Sequence, residues 1–467
     1  MLPTAAILTV YLLLSGVEAK SHNVQYPLHD KPAPRQHEKC VNANHASRYT
    51  VAKTPRKWWW SSSKSTNSKK TASQTRFSTS HSSSDGPISL PQISPMNASS
   101  SEQWEFDGVS NDGTQSFIFG FYRDPNYSFL GTGNLRAYFE MAGLVDTDKG
   151  DVKKETRYAV VDYAEDSVVE ECTREEDGAV TKFTKGTWTG RDFVYTFEIS
   201  HDLGYAKVTM QNPEVHVSVV LRKRGPPSSS SSSTAAARPS LRSFSAEHDS
   251  TLMAVPHFYW AEPFPVADAK FSAVFDGRAR VKDGKGQSPY TVGWDGMGGH
   301  ERLWAAFNWY TCLAGMMAVR AQVGPFTLSY VEFQSGIDDG LVMKSIQRKK
   351  GNKTDGDSFS GPMGVGVTVK KLYSSEGVAT AVLADKVTGI DLILESPRRG
   401  KQWRFVVEHK VVGFEYFLGE GVGGTGYSGI ARGGLFGHGE PEWAGPGFSE
   451  VMRFPKKSWL LNKNLNY

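Results

Sequence analysis

The sequence predicts an all-β protein made of two consecutive antiparallel barrels or sandwiches. Three observations carry this. Apolar runs of strand length recur from Trp104 onward, separated by turn residues such as Asn111-Asp112-Gly113 and Glu176-Asp177-Gly178, which is hairpin chemistry. The chain holds 46 glycines and 12 tryptophans, a combination that suits many tight turns and large aromatic surfaces. No segment sustains a helical period beside parallel-strand runs, which argues against a Rossmann or hydrolase-type α/β fold. At 467 residues there is enough chain for two ordinary domains with full cores.

Residues 1–19 read as a cleavable signal peptide. The apolar run 5–14 is too short to span a bilayer, and Val17 and Ala19 are small residues where a peptidase needs them. Entry into the secretory pathway is expected, with delivery outside the cell or into a membrane-bound biosynthetic compartment. There, Asn97-Ala98-Ser99, Asn126-Tyr127-Ser128 and Asn352-Lys353-Thr354 would be glycosylation acceptors. Residues 20–100 are rich in Ser, Thr, Lys, His and Pro and poor in aliphatic side chains. Such a segment cannot bury enough apolar surface to offset its ordering entropy, and a disordered linker is predicted. Arg56-Lys57-Trp58-Trp59-Trp60 lies within it, a basic-aromatic cluster of the kind that touches membrane interfaces, but without an amphipathic period it reads rather as part of a solvated tail.

Residues 101–285 form the first predicted β domain, with strands over 117–122, 135–141, 157–163, 179–189, 192–199, 206–210, 214–223, 258–260 and 271–281. A Pro- and Ser-rich stretch, 225–245, has neither period nor core residues and is read as a disordered insert. Residues 286–467 form the second domain, with strands over 308–320, 326–333, 341–347, 364–372, 379–384, 391–395 and 402–413. Over 308–320, alternation sets Trp309, Thr311, Leu313, Met317 and Val319 against Asn308, Tyr310, Cys312, Met316 and Arg320. Neither face is uniformly polar, so this strand reads as enclosed. Val323-Gly324-Pro325 then turns the chain into its antiparallel neighbour.

Several functions lose their usual anchors. The net charge of +4 does not suggest a nucleic-acid partner. Cys40, Cys172 and Cys312 form no CxxC, and their odd number excludes complete internal pairing; Cys312 reads as a buried small apolar residue. Gly419-Glu420-Gly421-Val422-Gly423-Gly424 matches GxGxxG, but Thr425-Gly426-Tyr427 follows where a dinucleotide site needs a helix N-terminus. There is no GxSxG elbow, Walker loop, HExxH or convincing triad.

Three blocks carry a family likeness. They are WEFDGVSNDGTQSFIFGFY (104–122), PHFYWAEPFPVADAKFSAVFDG (256–277) and GWDGMGGHERLWAAFNWYTCLAGMMAVRAQVGPFTLSYVEFQSG (293–336). Together they resemble the fungal Diels–Alderases that cyclise polyketide–amino acid hybrids. More distantly they are similar to lipocalin-like carotenoid hydratases and kievitone hydratase-type proteins. The hydratases tend to carry an acidic residue just before the histidine, where this chain has Gly299.

The resemblance implies a lipocalin-like second domain and a pocket that folds a linear polyene for intramolecular [4+2] cycloaddition. It implies no cofactor, no metal and no stable protein partner, and a small apolar substrate supplied by a polyketide synthase–nonribosomal peptide synthetase. Candidate catalytic groups are Asn308, Asp107 and His300; the candidate substrate-binding wall is Trp104, Tyr259, Trp260, Trp294, Trp309, Trp403 and Glu408. The alternatives stay open. About half of the tryptophans read equally well as core, and His300-Glu301-Arg302 reads equally well as a structural hydrogen-bond network. A hydratase using His300 or Glu301 as its acid, or a carrier that only binds an apolar metabolite, fits the same residues.

Overall fold

Period-two patterning becomes strand nearly everywhere the chain is described. The computed structural model describes residues 37–47, 76–77, 88–94, 100–124, 135–146, 153–176, 179–224, 244–246, 249–276, 290–305, 307, 309–350, 366–373, 387–396, 400–419, 422–437 and 442–455. The signal peptide, Arg56 to Trp60, the three glycosylation tripeptides, most of the 225–245 insert, strand 379–384 and Asn308 lie outside the described residues.

The first strands in chain order are β1 (His37–Ser47), β2 (Arg76–Phe77), β3 (Ile93–Ser94), β4 (Ser101–Ser110), β5 (Gln115–Arg123), β6 (Leu135–Asp146), β7 (Lys153–Tyr163) and β8 (Asp166–Glu176). Then come β9 (Ala179–Thr189), β10 (Val194–Ser200), β11 (Tyr205–Gln211), β12 (Val215–Lys223), β13 (Phe244–Ala246), β14 (Asp249–Thr251), β15 (Met253–Val255), β16 (Phe258–Phe275) and β17 (Tyr290–Ala305). A single helical turn, α1 (Trp309–Cys312), precedes β18 (Leu313–Val323), β19 (Phe326–Ser335), β20 (Val342–Lys350) and β21 (Gly366–Leu372). The last are β22 (Gly389–Ser396), β23 (Lys401–Gly419), β24 (Val422–Leu435) and β25 (Trp443–Arg453).

Two large antiparallel sheets result, beside the two-stranded pairs β2-β3 and β13-β14, and the all-β expectation holds. The first runs β1-β8-β9-β10-β11-β12-β16-β17-β4-β5-β6-β7, with β15 added beside β16; the second runs β20-β19-β18-β25-β24-β23-β22-β21. The first sheet curls back on itself. β7 forms one edge and β8 lies beside the other, yet only Ala164 and Glu165 join them, donating their backbone N–H groups to Leu135 and Thr189. The curl encloses Trp104, Phe106, Phe119, Phe121, Trp188 and Phe197, among others. The second sheet wraps its own core of Val319, Leu328, Tyr330, Leu392, Phe405 and Val407, to which Ile346 and Val369 from its two edge strands both contribute. Between β4 and β5, Gly113 takes a φ of 71°, a left-handed turn position that suits glycine.

Four expectations need correction. Part of 20–100 is built into the fold: β1 pairs with β8, and Cys40 is disulfide-bonded to Cys172. Residues 88–94 pack Ile88 and Ile93 inward, and Ser89 O accepts from Trp104 Nε1. Average composition hid these few apolar residues, and the domain supplies partners that a free linker lacks. Second, β17 pairs with β16 and β4, so the passage between sheets falls after Ala305 and not at 285/286. Third, α1 occupies 309–312, and the strand read over 308–320 begins at Leu313. Fourth, Phe258 to Phe275 is one strand, which accommodates Pro263 and Pro265 at register shifts around Phe264.

Candidate functional site

β4 decides where the site lies, because both of its faces are buried. Trp104 and Phe106 point into the first core, so Gln103, Glu105 and Asp107 point the other way, toward the second sheet. β17 lies beside it with Glu301 opposite Glu105 and Gly299 opposite Asp107. From the second sheet, β18 brings Arg320, β19 brings Ser329 opposite it, and β25 brings Glu450. The resulting junction is polar at its centre and apolar on its flanks. One flank holds Phe258, Trp260, Leu303, Met316 and Phe333, with Trp309 packed against them; the other holds Val109, Ile118, Met297, Phe414 and Phe448.

Arg320 organises the centre. Its Nε donates to Glu262 Oε1 at 3.0 Å, its Nη1 to Asp107 Oδ2, and its Nη2 to Glu301 Oε2 at 3.3 Å. Ser329 Oγ donates to Glu262 at 2.8 Å, and Trp260 Nε1 to Glu301 Oε2 at 2.9 Å. Glycine at 299 makes this possible: a Cβ there would sit 2.7 Å from Arg320 Nε and 2.8 Å from its Cζ. The guanidinium therefore rests on bare backbone.

The cluster carries more acid than base. Carboxyl oxygens of Glu105, Glu301 and Glu450 lie within 4.8 Å of one another, all three residues being buried. Burial, then the nearby Glu450, holds the Glu105 carboxyl well above its ordinary range, against the pull of Arg320 and a hydrogen bond from Gln103. Burial and Glu301 push Glu450 up to about 8. Arg320 is lowered by burial to about 10 and stays cationic at neutral pH. Neutral carboxylic acids facing an apolar interface can donate hydrogen bonds to a bound carbonyl. Asp107 Oδ1 is buried without a hydrogen-bond partner among the described residues.

Among the residues singled out from sequence, Asp107, Trp260 and Trp309 reach the junction. His300 does not. It faces the first core, stacked on Phe106 at 4.1 Å, with Nδ1 2.7 Å from Glu105 O, and burial lowers it to about 3, so it is neutral. Trp104 is core, and Trp294 stacks on Phe117 and Phe271 at that core's margin. Tyr259 stacks on Trp304 in a separate cluster, Trp403 lies in the second core, and Glu408 is exposed beside Arg432. Alternation places residues on faces without saying which face is enclosed by what. Glu262 and Glu450 were missed; Glu262 is the one acid in the apolar start of β16 and Glu450 the one acid of β25, and that is the signal that marks them. A shallow open groove on the outer face of the second sheet, between Lys370, Asp391, Arg404 and Phe436, lies away from this junction.

Comparisons with known proteins agree on one family. Residues 61–455 match the family model described as Diels-Alderase-like. The Diels-Alderase cheD of Chaetomium globosum is 38% identical over 384 residues, covering 80% of this chain and 79% of that protein. The Diels-Alderase ffsF of Aspergillus flavipes is 39% identical over 387 residues, covering 80% and 82%. Among solved structures, that of CghA with Sch210972 superposes with a TM-score of 0.58 at 19% identity, over 78% of this chain and 90% of that one, which is a likeness of fold. With a matching model over most of its length and relatives of this identity, the chain belongs to the Diels-Alderase-like family.

Proposed function

We propose that the junction between the two sheets is where this pericyclase folds a linear polyene polyketide–nonribosomal peptide intermediate with a tetramic acid or pyrrolone head. There it closes a decalin or cytochalasan-type ring by intramolecular [4+2] cycloaddition. The observation that carries this reading is the junction itself: apolar and aromatic flanks on either side of a buried carboxyl cluster in which burial and the nearby Glu450 raise Glu105 well above its ordinary range. A cycloaddition transfers no proton and forms no bond to the enzyme. Walls such as Trp260, Phe258 and Phe414 restrict the tether to a near-attack conformer, for which effective-molarity arguments allow roughly 7–11 kcal/mol in favourable systems. Glu105 donates a hydrogen bond to the carbonyl conjugated with the dienophile and lowers its acceptor orbital, a preorganised electrostatic contribution.

The same intermediate requires a polyketide synthase–nonribosomal peptide synthetase upstream. The Cys40–Cys172 bond supports passage through the secretory pathway, where such bonds persist. The test is to incubate the protein, from about Lys20 onward, with a linear polyenoyl tetramic acid and follow products by chromatography and mass. A product of unchanged mass, formed faster and as one stereoisomer, is expected. Gain of one water would replace this reading with a hydratase, and unchanged compound that co-purifies would replace it with a carrier.

A further inference from the structure

Glu450 stands apart from the other acids of the junction. Its neighbours across the ladder are Ala318 on β18 and Gly426 on β24, neither of which has a polar side chain to offer. Its side chain is 4% exposed and, among the described residues, makes no hydrogen bond or salt bridge. Arg320 cannot serve it, because its guanidinium is directed at Asp107, Glu262 and Glu301. The charged groups that act on Glu450 are thus Glu105 on β4, Glu301 on β17 and Arg320 on β18, with Asp107 on β4 and Glu262 on β16 engaged by Arg320. Two carboxyl groups this close and this deeply buried do not both ionise, since like charges repel strongly where the surroundings polarise little and Arg320 is already shared among three other acids. The nearest other carboxyls are those of Glu105 and Glu301; Glu301 accepts from the Arg320 cation as well as from Trp260, which favours its ionised form, whereas Glu105 accepts from the neutral amide of Gln103. The carboxyl with which Glu450 can share a proton is therefore that of Glu105.

We propose that Glu450 is a positioning residue: the second sheet sets its carboxyl beside that of Glu105 on the first, so that the pair holds one proton, and that proton resides on Glu105 and keeps it a neutral hydrogen-bond donor when the sheets are packed together. This rests on the reading of Glu105 as the group that meets the substrate carbonyl. It also gives the junction a reason to span two sheets. The donor sits on one, and the group that holds its proton sits on the other.

The experiment compares the full chain with its Glu450→Gln and Glu450→Asp variants. Infrared difference spectra across a pH titration, without ligand, follow the C=O stretch of protonated carboxyl groups; cyclisation of a linear polyenoyl tetramic acid gives kcat and KM at each pH. In Glu450→Gln the loss of the buried-carboxyl signal and the fall in kcat should both move at least one pH unit lower, with KM little changed. Glu450→Asp should return both toward the original profile. Infrared titrations that superimpose in the original protein and Glu450→Gln would overturn the shared proton. A shifted infrared titration with an unshifted rate profile would overturn the positioning role. Failure of the unaltered protein to cyclise the compound would instead sink the reading of the site, whatever the spectra show. Should Glu450→Gln not fold, loss of the same infrared signal in Glu105→Gln is the required result, and its persistence would overturn the pair.

Discussion

Arg302 and Arg320 are both fully buried, both lowered to about 10 by burial, and neutralised in opposite ways. Arg302, on β17, meets one acid, Glu102 at 2.6 Å, and spends its remaining donors on the backbone carbonyls of Ile88, Leu90 and Gln103, with its guanidinium 3.7 Å above the Trp104 ring. One charge is balanced by one charge. Arg320, on β18, is held by three acids while two more, Glu105 and Glu450, stand beside it with no ion pair of their own among the described residues. The first arrangement ties residues 88–94 to the first sheet. The second stores a proton at the contact between sheets, and perturbed carboxyl groups of that kind are a mark of functional sites.

The largest effects should come from removing each arginine. Arg302→Met and Arg320→Met each leave buried carboxylate without its partner, at a cost of about 3–5 kcal/mol in denaturant unfolding. They should part on acidification. Surplus acids left by Arg320→Met have their folded-state proton affinity raised further, so that variant should regain stability as pH falls. Arg302→Met, which strands one carboxylate and three carbonyls, should regain less. Equal recovery in the two would dissolve the contrast drawn here.

A smaller effect tests how Arg320 is seated. Gly299→Ala places a methyl against a guanidinium fixed by three acids, and should cost about 1–3 kcal/mol. Cyclisation should fall with it. The Arg302 network, on the opposite face of the same strand, should be undisturbed, so the Trp104 and Trp188 fluorescence of the first core is the internal control. Unchanged stability in Gly299→Ala would mean that Arg320 has room the geometry does not show.

The smallest is a slope. Glu450 has its folded-state value raised to about 8 from 4.5, so its contribution to stability is fully present below the unfolded value and is lost as pH rises toward about 8. Thermal unfolding across that window should show a fall of at most about 1.4 kcal/mol per pH unit from this group. Glu450→Gln should flatten the fall, and Arg302→Met should leave it in place.

Much of the fold was legible in local pattern. The strands β5 to β7 and β9 to β12 follow apolar alternation and hairpin turns closely, because each needs only neighbours in sequence to declare itself, whereas the acidic run of β8 did not mark it as a strand. The site was less legible. Glu105 and Asp107 could be placed on one side of β4, but alternation is symmetric and does not say whether that side meets water or another sheet. His300 drew notice for its residue type, yet its ring stacks on Phe106 in the opposite direction. Residues 20–100 looked uniformly polar, since a few anchoring contacts such as Asn44 with Arg123 vanish in an average.

The sequence by itself determined the all-β class, the turn positions and the family, since period-two patterning and local motifs are properties of contiguous chain. Only the tertiary structure decided that Arg320 meets Asp107, 213 residues away, and that Glu105 and Glu450 face each other across the two sheets. The physical reason is that a buried charge is tolerated only where distant strands complete its surroundings, and no local pattern encodes which strands those will be.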